Sequence, residues 1–439
     1  MIQNLNSAKT LSGTITLPGD KSISHRYAML AAIAEGESVI RHFAASNDCL
    51  STLNCLSALG VPIRAAGDTV NIQGCGLRGL RAPGKPLDAQ NSGTTIRLLS
   101  GILAGCDFAC SITGDESLSN RPMGRIIQPL RLMGARIESR ERDLPPLVIR
   151  GGSLKGIRYS LPVASAQVKS CILLAGLYAA GTTAIEETVP TRDHTEIALG
   201  EFGAAVRVSG GWIEVDPNPR LLGQHLTVPG DLSGAAFFLA AAAMIPGSDL
   251  AIPGVSLNGR RRELLNYLER AGMDISVENE TTKAGEARGD LRARYSAPFL
   301  EKRMPDIKGS EAASLIDEIP ALAVLGSQTA GGLEISDAGE LRVKESDRIS
   351  AVAVNLRAMG AGVTEKPDGL IVSGGRKLRG ADIITGKDHR IAMAFAVAGL
   401  SADGETRIHD AECVNVSFPN FWVILKAIRN NSGGLSQGK

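Results

Sequence analysis

The sequence predicts an α/β (α+β) chain of two lobes, each made of three copies of one supersecondary unit. Three observations carry that expectation. An Ala/Leu-rich helix followed by a Gly-centred turn and a short β-rich run occurs six times. The turn glycines, Gly36, Gly105, Gly181, Gly247, Gly332 and Gly404, lie 69, 76, 66, 85 and 72 residues apart, against about 73 for 439 residues divided six ways. Finally, LPGDKSISHRYAMLAAIAEGES at Leu17 recurs as VPGDLSGAAFFLAAAAMIPGS at Val228. The two Pro-Gly-Asp tripeptides are 211 residues apart, about three repeats. They mark crossovers between a lobe of residues 1–19 plus 231–439 and an inserted lobe of residues 20–230, with Asp20 and Asp231 available as helix N-caps.

In chain order the phrase reads AMLAAIAEGESVI, LLSGILAGCDFACSI, CILLAGLYAAGTTAIEE, FFLAAAAMIPGSDLAI, LAVLGSQTAGGLEIS and FAVAGLSADGETRIHD. Each helix is apolar on nearly every side, which predicts burial. The longest apolar run, Ala235–Pro246, has twelve residues, short of the ~20 that span a bilayer. Between these phrases come amphipathic helices that end in Gly: LNCLSALGVPI, LRLMGARI, IALGEFGAAV, LNYLERAGMDI and VNLRAMGAGV. That Gly is the residue just past a helix end, where positive φ is wanted. The sixth copy, WVILKAIRN, is degenerate. Each unit therefore reads strand, buried helix, strand, amphipathic helix, strand. A charged insertion from Glu278 to Arg303 accounts for the long fourth spacing.

Composition narrows the function. Hydrophobic residues at 44% and charged residues at 21% are those of a globular protein with ample core. Lys plus Arg total 47 and Asp plus Glu 46; with 4% aromatics, this disfavours nucleic-acid binding. The seven cysteines are scattered without a CxxC pair, so neither disulfides nor zinc are expected. The N-terminus shows no signal or transit pattern, which predicts a cytoplasmic protein. P-loop, GxGxxG, HExxH and GxSxG motifs are absent.

The chemistry concentrates where helices start. Copy one offers Lys21, Ser22, Ser24, His25 and Arg26; copy two, Asn91 to Thr95 and Arg97; copy three, Ser165, Ala166, Gln167 and Lys169. Copy five offers Asp317 and Glu318, and copy six Asp388, His389 and Arg390. The second helices add Arg121, Arg192, Lys344, Glu345 and Arg348. Helix N-termini carry about half a positive charge and unpaired N–H groups. Ser, Asp and Asn there are ordinary caps. Cations there oppose the dipole, so Lys21, Arg26, Arg97, Lys169, Arg192 and Lys344 point to an anionic ligand as the missing partner. Asp317 and Glu345 inside this basic set suit a base and an acid, although a helix cap and an ion-pairing residue are their plain structural alternatives.

The motifs LPGDKSISHR, NSGTTIRLL, NRPMGR, SAQVKS, TRDHTE, LIDEIPALAV, ELRVKESDRI and DHRIAMAFAV, in this order over residues 17–397, resemble those of the 5-enolpyruvylshikimate-3-phosphate synthase family, second bacterial group. The resemblance implies the enolpyruvyl transferase fold, two lobes of three βαβαββ units with the active site in the cleft between them. It implies transfer of the carboxyvinyl group of phosphoenolpyruvate to the 5-hydroxyl of shikimate 3-phosphate, by addition and elimination of phosphate. No cofactor or metal is implied, nor any partner beyond the two substrates, and the chain is expected to be a monomer. Lys21, Ser22, Arg26, Ser165, Ala166 (through its backbone), Gln167, Asp317 and Lys344 would hold shikimate 3-phosphate. Lys21, Gly93, Arg121, Gln167, Arg348 and Arg390 would hold phosphoenolpyruvate. Asp317 would be the base for the 5-hydroxyl, Glu345 would shuttle the proton at the methylene carbon, and Lys21 would contact both ligands. Gly93 is the residue usual in glyphosate-sensitive members. Three positions depart from other members: Val416 stands where enteric members have Lys, Ala166 replaces a second Ser, and Glu340 stands for Asn. The sister UDP-N-acetylglucosamine enolpyruvyl transferases carry a reactive Cys before their Arg-Pro motif; the loop GDESLSNRP here has none. A catalytically dead anion-binding repeat protein is the remaining alternative.

Overall fold

The computed structural model describes residues 1–430 and divides the chain into two compact units. The inserted unit is Gly19–Pro229 with Lys283–Glu286; the terminal unit is Met1–Pro18, Gly230–Thr282 and the chain from Ala287. The crossovers fall one residue before the boundaries read from the sequence, and the tetrapeptide at 283–286 joins the inserted unit.

The inserted unit contains α1 (Lys21–Ile33), α2 (Asn47–Ala58), α3 (Gly93–Ala104), α4 (Gly124–Met133), α5 (Ala166–Gly176) and α6 (His194–Glu201). The terminal unit contains α7 (Leu232–Met244), α8 (Glu263–Ala271), the short α9 (Ala297–Leu300) and α10 (Gly309–Ser314), then α11 (Ile319–Gln328), α12 (Arg348–Ala358), α13 (His389–Ser401) and α14 (Phe421–Asn430). The phrases that looked apolar on all sides become α1, α3, α5, α7, α11 and α13. All 13 residues of α7 are buried. Each unit has its own apolar core.

The second repeat displays the unit in full. Leu87–Asp88 pairs parallel with Ala109–Thr113, which pairs antiparallel with Leu144–Arg150, and Arg136–Arg140 closes the sheet. The third repeat has the same order, through Arg158–Ser160, Thr183–Glu186, Trp212–Val215 and Val206–Ser209. The unit is thus βαβαββ, one strand longer than the element count read directly from the phrases, because a hairpin follows the amphipathic helix in each of the first five copies. In the fourth repeat this hairpin is Asp274–Lys283 with Glu286–Arg294. It occupies most of the stretch that reads as an insertion.

Three sheets borrow a strand: in the fourth repeat Ser12–Thr14 lies parallel to Asp249–Ser256. The first repeat is completed by His225–Thr227, parallel to Glu35–Arg41. The degenerate sixth is completed by Gln3–Leu5, antiparallel to Thr406–Ile408. An unpaired sheet edge is a liability; the N-terminal segment covers the edges in the fourth and sixth repeats, and the last strand of the inserted unit covers that of the first.

The five glycines that end the amphipathic helices, Gly60, Gly134, Gly203, Gly272 and Gly360, all have positive φ, between 88° and 109°. Gly105 is different. Its φ is −90°, and a Cβ there would lie 2.1 Å from the Tyr178 ring, so close approach rather than backbone conformation requires Gly. No described helix is long and apolar enough to cross a membrane.

Candidate functional site

In the inserted unit, the starts of α1, α3 and α5 are stitched into a ring. Asp20 caps α1 by accepting from Ile23 N at 3.0 Å, which sets Lys21 and Ser22 in its first turn. Lys21 Nζ donates to Asp48 Oδ2, 2.9 Å away on α2. Ser92 and Ser165 cap α3 and α5. Across α3 and α5, Arg97 Nη1 donates to Gln167 Oε1 at 2.9 Å, and Gln167 Nε2 donates to Thr94 Oγ1 at 3.0 Å. Between α5 and α1, Arg26 Nη2 donates to Ser170 Oγ at 2.8 Å. Arg121, before α4, donates to Asn91 Oδ1 at 2.8 Å and Ser117 Oγ at 3.0 Å. A Cβ on Gly93 would come within 2.7 Å of the Arg97 guanidinium and 3.6 Å of that of Arg121, so Gly keeps this cationic surface open. The ring brings together Lys21, Ser22, Arg26, Gly93, Arg121, Ser165, Ala166 and Gln167. Burial lowers the Arg26 guanidinium to about 10, against the pull of Glu196 and Asp20; it remains charged at neutral pH.

Beneath the ring runs a chain of hydroxyls. His25 Nδ1 bonds Thr52 Oγ1 at 2.7 Å, Thr52 bonds Thr95 Oγ1 at 2.7 Å, and Thr95 Oγ1 donates to Ser92 Oγ at 2.7 Å. Burial, then the charges of Lys21 and Arg26, hold His25 well below its ordinary pKa, so it stays neutral. In the unfolded chain it takes up a proton near pH 6.5. The folded state therefore loses stability as pH falls below about 6.5, by up to about 1.4 kcal/mol per pH unit from this group. His25→Asn removes that contribution. Urea unfolding at pH 7.5 and 5.5 measures it, and equal pH slopes for variant and parent would exclude it.

In the terminal unit the starts of α11, α12 and α13 surround one guanidinium. Arg348, the first residue of α12, is fully buried. It donates to Asp388 from Nε at 2.8 Å and Nη2 at 3.2 Å, and Nη2 also bonds Glu345. Asp317 Oδ1 lies 3.7 Å from its Nη1. Burial alone would lower the Arg348 pKa, but Asp388, Glu345 and Asp317 outweigh it and raise it. Burial would likewise raise Asp388, yet Arg348 holds it below the usual carboxylate range. Arg390 donates to the Asp317 carbonyl at 2.7 Å, with Nη2 3.6 Å from Asp317 Oδ2. Lys344 follows the 3₁₀ turn Gly339–Val343, which contains Glu340. Burial lowers its ammonium, and the Asp317 carboxylate opposes that shift. Asp317, Lys344, Glu345, Arg348 and Arg390 thus form one mixed-charge cluster.

Several expectations change. Lys169 marks no missing ligand: its ammonium is completely buried against Glu187 at 3.0 Å and Glu196 at 2.6 Å. Arg192, Lys344 and Glu345 lie in the loops just ahead of α6 and α12, close to the helix starts as expected. The cap at the start of α11 is Glu318, so Asp317 is not a helix cap. Val416 closes a 3₁₀ turn, half-buried, with no charge to offer. Asp48 and the role of Asp388 as counter-ion escaped the sequence reading, because each partners a residue 27 or 40 positions away. Asp388 reads locally as a cap, and it is one, accepting from Arg390 N at 2.9 Å. All seven cysteines are free. Burial raises every thiol, Cys110 to about 11 and Cys55, Cys106 and Cys413 to about 12, so none has the lowered pKa of a reactive thiolate. No group of three or more metal-ligating side chains occurs among the described residues.

Residues 5–425 match the family described as EPSP synthase (3-phosphoshikimate 1-carboxyvinyltransferase). A 3-phosphoshikimate 1-carboxyvinyltransferase from Solibacter usitatus is 52% identical over 428 residues, 98% of this chain and 100% of that one. One from Pelotomaculum thermopropionicum is 49% identical, covering 97% and 98%. The solved EPSP synthase of Acinetobacter baumannii superposes with a TM-score of 0.86 at 43% identity, over 97% of this chain and 98% of that one.

Proposed function

The chain belongs to the EPSP synthase (3-phosphoshikimate 1-carboxyvinyltransferase) family, and from that membership we propose how its residues divide the work. The reaction joins the 5-hydroxyl oxygen of shikimate 3-phosphate to C2 of phosphoenolpyruvate, then expels phosphate. It is a step of the shikimate pathway, which leads to aromatic amino acids.

Each substrate carries a phosphate and a carboxylate, so bringing them together requires dense positive charge. Lys21, Ser22, Arg26, Ser165, Ala166, Gln167 and Lys344 bind shikimate 3-phosphate. Lys21, Gly93, Arg121, Gln167, Arg348 and Arg390 bind phosphoenolpyruvate. The reaction draws on both clusters. Asp317 takes the proton of the 5-hydroxyl as its oxygen attacks C2. Glu345 gives a proton to C3, making a methyl group and a tetrahedral intermediate. As the C2–O bond to phosphate breaks, the leaving oxygen takes up the proton that Asp317 removed, the methyl group returns a proton to Glu345 and the vinyl double bond re-forms. Cations at the phosphate and carboxylate stabilise the charge that develops.

The observation that carries this reading is the convergence of two separate carboxylates, Asp317 and Glu345, on the buried Arg348. A single guanidinium that fixes both orients a base and an acid without either being consumed by the fold, since Asp388 supplies the structural counter-charge. The test is phosphate release from phosphoenolpyruvate with shikimate 3-phosphate or with UDP-N-acetylglucosamine as acceptor. Release with the first alone supports the assignment; release with the sugar nucleotide, or with neither, overturns it.

A further inference from the structure

The transfer leaves unexplained a buried ion cluster in the inserted unit. Lys169 stands on α5, four residues after its cap Ser165, with its side chain wholly enclosed. Two carboxylates share its ammonium, Glu187 at 3.0 Å and Glu196 at 2.6 Å, and their side chains are 7% and 8% exposed. Desolvating three ions costs several kcal/mol each, and an apolar side chain would fill this position more cheaply. The cluster therefore does something other than hold the core together.

Its geometry indicates what. Glu187 opens the loop between the strand Thr183–Glu186 and α6, and its second oxygen accepts from Thr191 within the same loop. The loop also carries Arg192, one of the cations noted in the sequence. At the start of α6, Thr195 Oγ1 accepts from Arg26 Nε at 2.6 Å and bonds Ser170 Oγ at 2.6 Å. His194 Nδ1 pairs with Glu286 at 2.7 Å, with both side chains buried. Lys169 thus ties three things together: the loop through Glu187, the start of α6 through Glu196, and the turn of α5 that presents Ser165 and Gln167. Arg26 is held by the residues on either side of these ties, Thr195 next to Glu196 and Ser170 next to Lys169.

We propose that Lys169 and Glu187 are positioning residues for shikimate 3-phosphate, mooring the 187–193 loop and the start of α6 so that Arg26, Ser165 and Gln167 meet this substrate pre-oriented. The inference rests on the substrate assignment made above. It concerns the acceptor, since among the phosphoenolpyruvate contacts Gly93 and Arg121 are fixed by Arg97, Asn91 and Ser117, and the side chain of Gln167, which serves both substrates, is held from α3 by Arg97 and Thr94, all outside the cluster.

The test compares Glu187→Gln and Thr191→Val with the parent in the full chain. Glu187→Gln keeps shape and removes one of the two negative charges on Lys169. Thr191→Val keeps the ion cluster and loosens only the loop, so it reads the same effect should the first variant lose stability. In each, KM for shikimate 3-phosphate rises about tenfold, the worth of one charge-assisted hydrogen bond. Both kcat and KM for phosphoenolpyruvate stay within about twofold, the split expected when only binding shared by ground and transition states is lost. Binding of shikimate 3-phosphate without phosphoenolpyruvate weakens by the same factor. An unchanged KM for shikimate 3-phosphate in both variants, an equal rise in both KM values, or a fall in kcat alone overturns the proposal. Arg26→Lys separates the two levels. If it leaves KM for shikimate 3-phosphate unchanged, the substrate assignment fails; if it raises that KM while the loop variants do not, only the positioning role fails.

Discussion

Asp317→Ala abolishes turnover and leaves shikimate 3-phosphate binding measurable. A positioned base contributes about 10²- to 10⁴-fold, and kcat for phosphate release should fall by at least that factor. The fold should tolerate the change. The Asp317 carbonyl, not its side chain, accepts the closest bond from Arg390. Arg348 keeps Asp388 and Glu345 as counter-ions, and Arg390 keeps its bond to the carbonyl of residue 317. Calorimetric titration with shikimate 3-phosphate checks binding while phosphate release checks rate. A kcat within about tenfold of the parent would show that another group takes the proton. Asp317→Asn should behave in the same way, because it keeps the shape and loses only the basicity.

Arg348→Met has the opposite character, with stability as its first casualty. Asp388 is completely buried, and Arg348 is its salt-bridge partner in this cluster. Removing one member of a buried pair typically costs about 3–5 kcal/mol, because the other ion is left uncompensated. The midpoint of urea unfolding of the terminal unit should drop accordingly. Adding Asp388→Asn should recover part of the loss, since Asn still caps α13 but carries no charge. Arg348→Lys keeps the positive charge and forfeits the forked contact to Asp388. It should remain folded while KM for phosphoenolpyruvate rises. An unchanged midpoint in Arg348→Met would mean that Asp388 is hydrated or protonated, and the account of this cluster would have to be abandoned.

The candidate site was legible to different depths. Every catalytic and binding candidate stands at or near a helix start, and the sequence reveals those starts through local rules: Asp20, Ser92, Ser165 and Asp388 before apolar runs are caps wherever the chain places them. What a side chain does after the helix forms was less legible. Lys169 and Arg348 are both cations near helix starts, and position alone suggests a ligand for each. Lys169 instead meets Glu187 and Glu196, residues of a loop and of another helix. Arg348 meets Asp388, forty residues on, and still presents itself to Asp317 and Glu345.

The sequence by itself determined the six-fold repeat, the helix ends and the residues available for chemistry, because caps, left-handed glycines and apolar periodicity act within one or two turns of the chain. Only the tertiary structure decided which charges neutralise one another, which strand completes the first, fourth and sixth sheets, and that Gly105 answers to the ring of Tyr178 rather than to its own φ. Those outcomes depend on distances between segments far apart in sequence, and Coulomb energy, hydrogen bonding and packing all depend on separation in space.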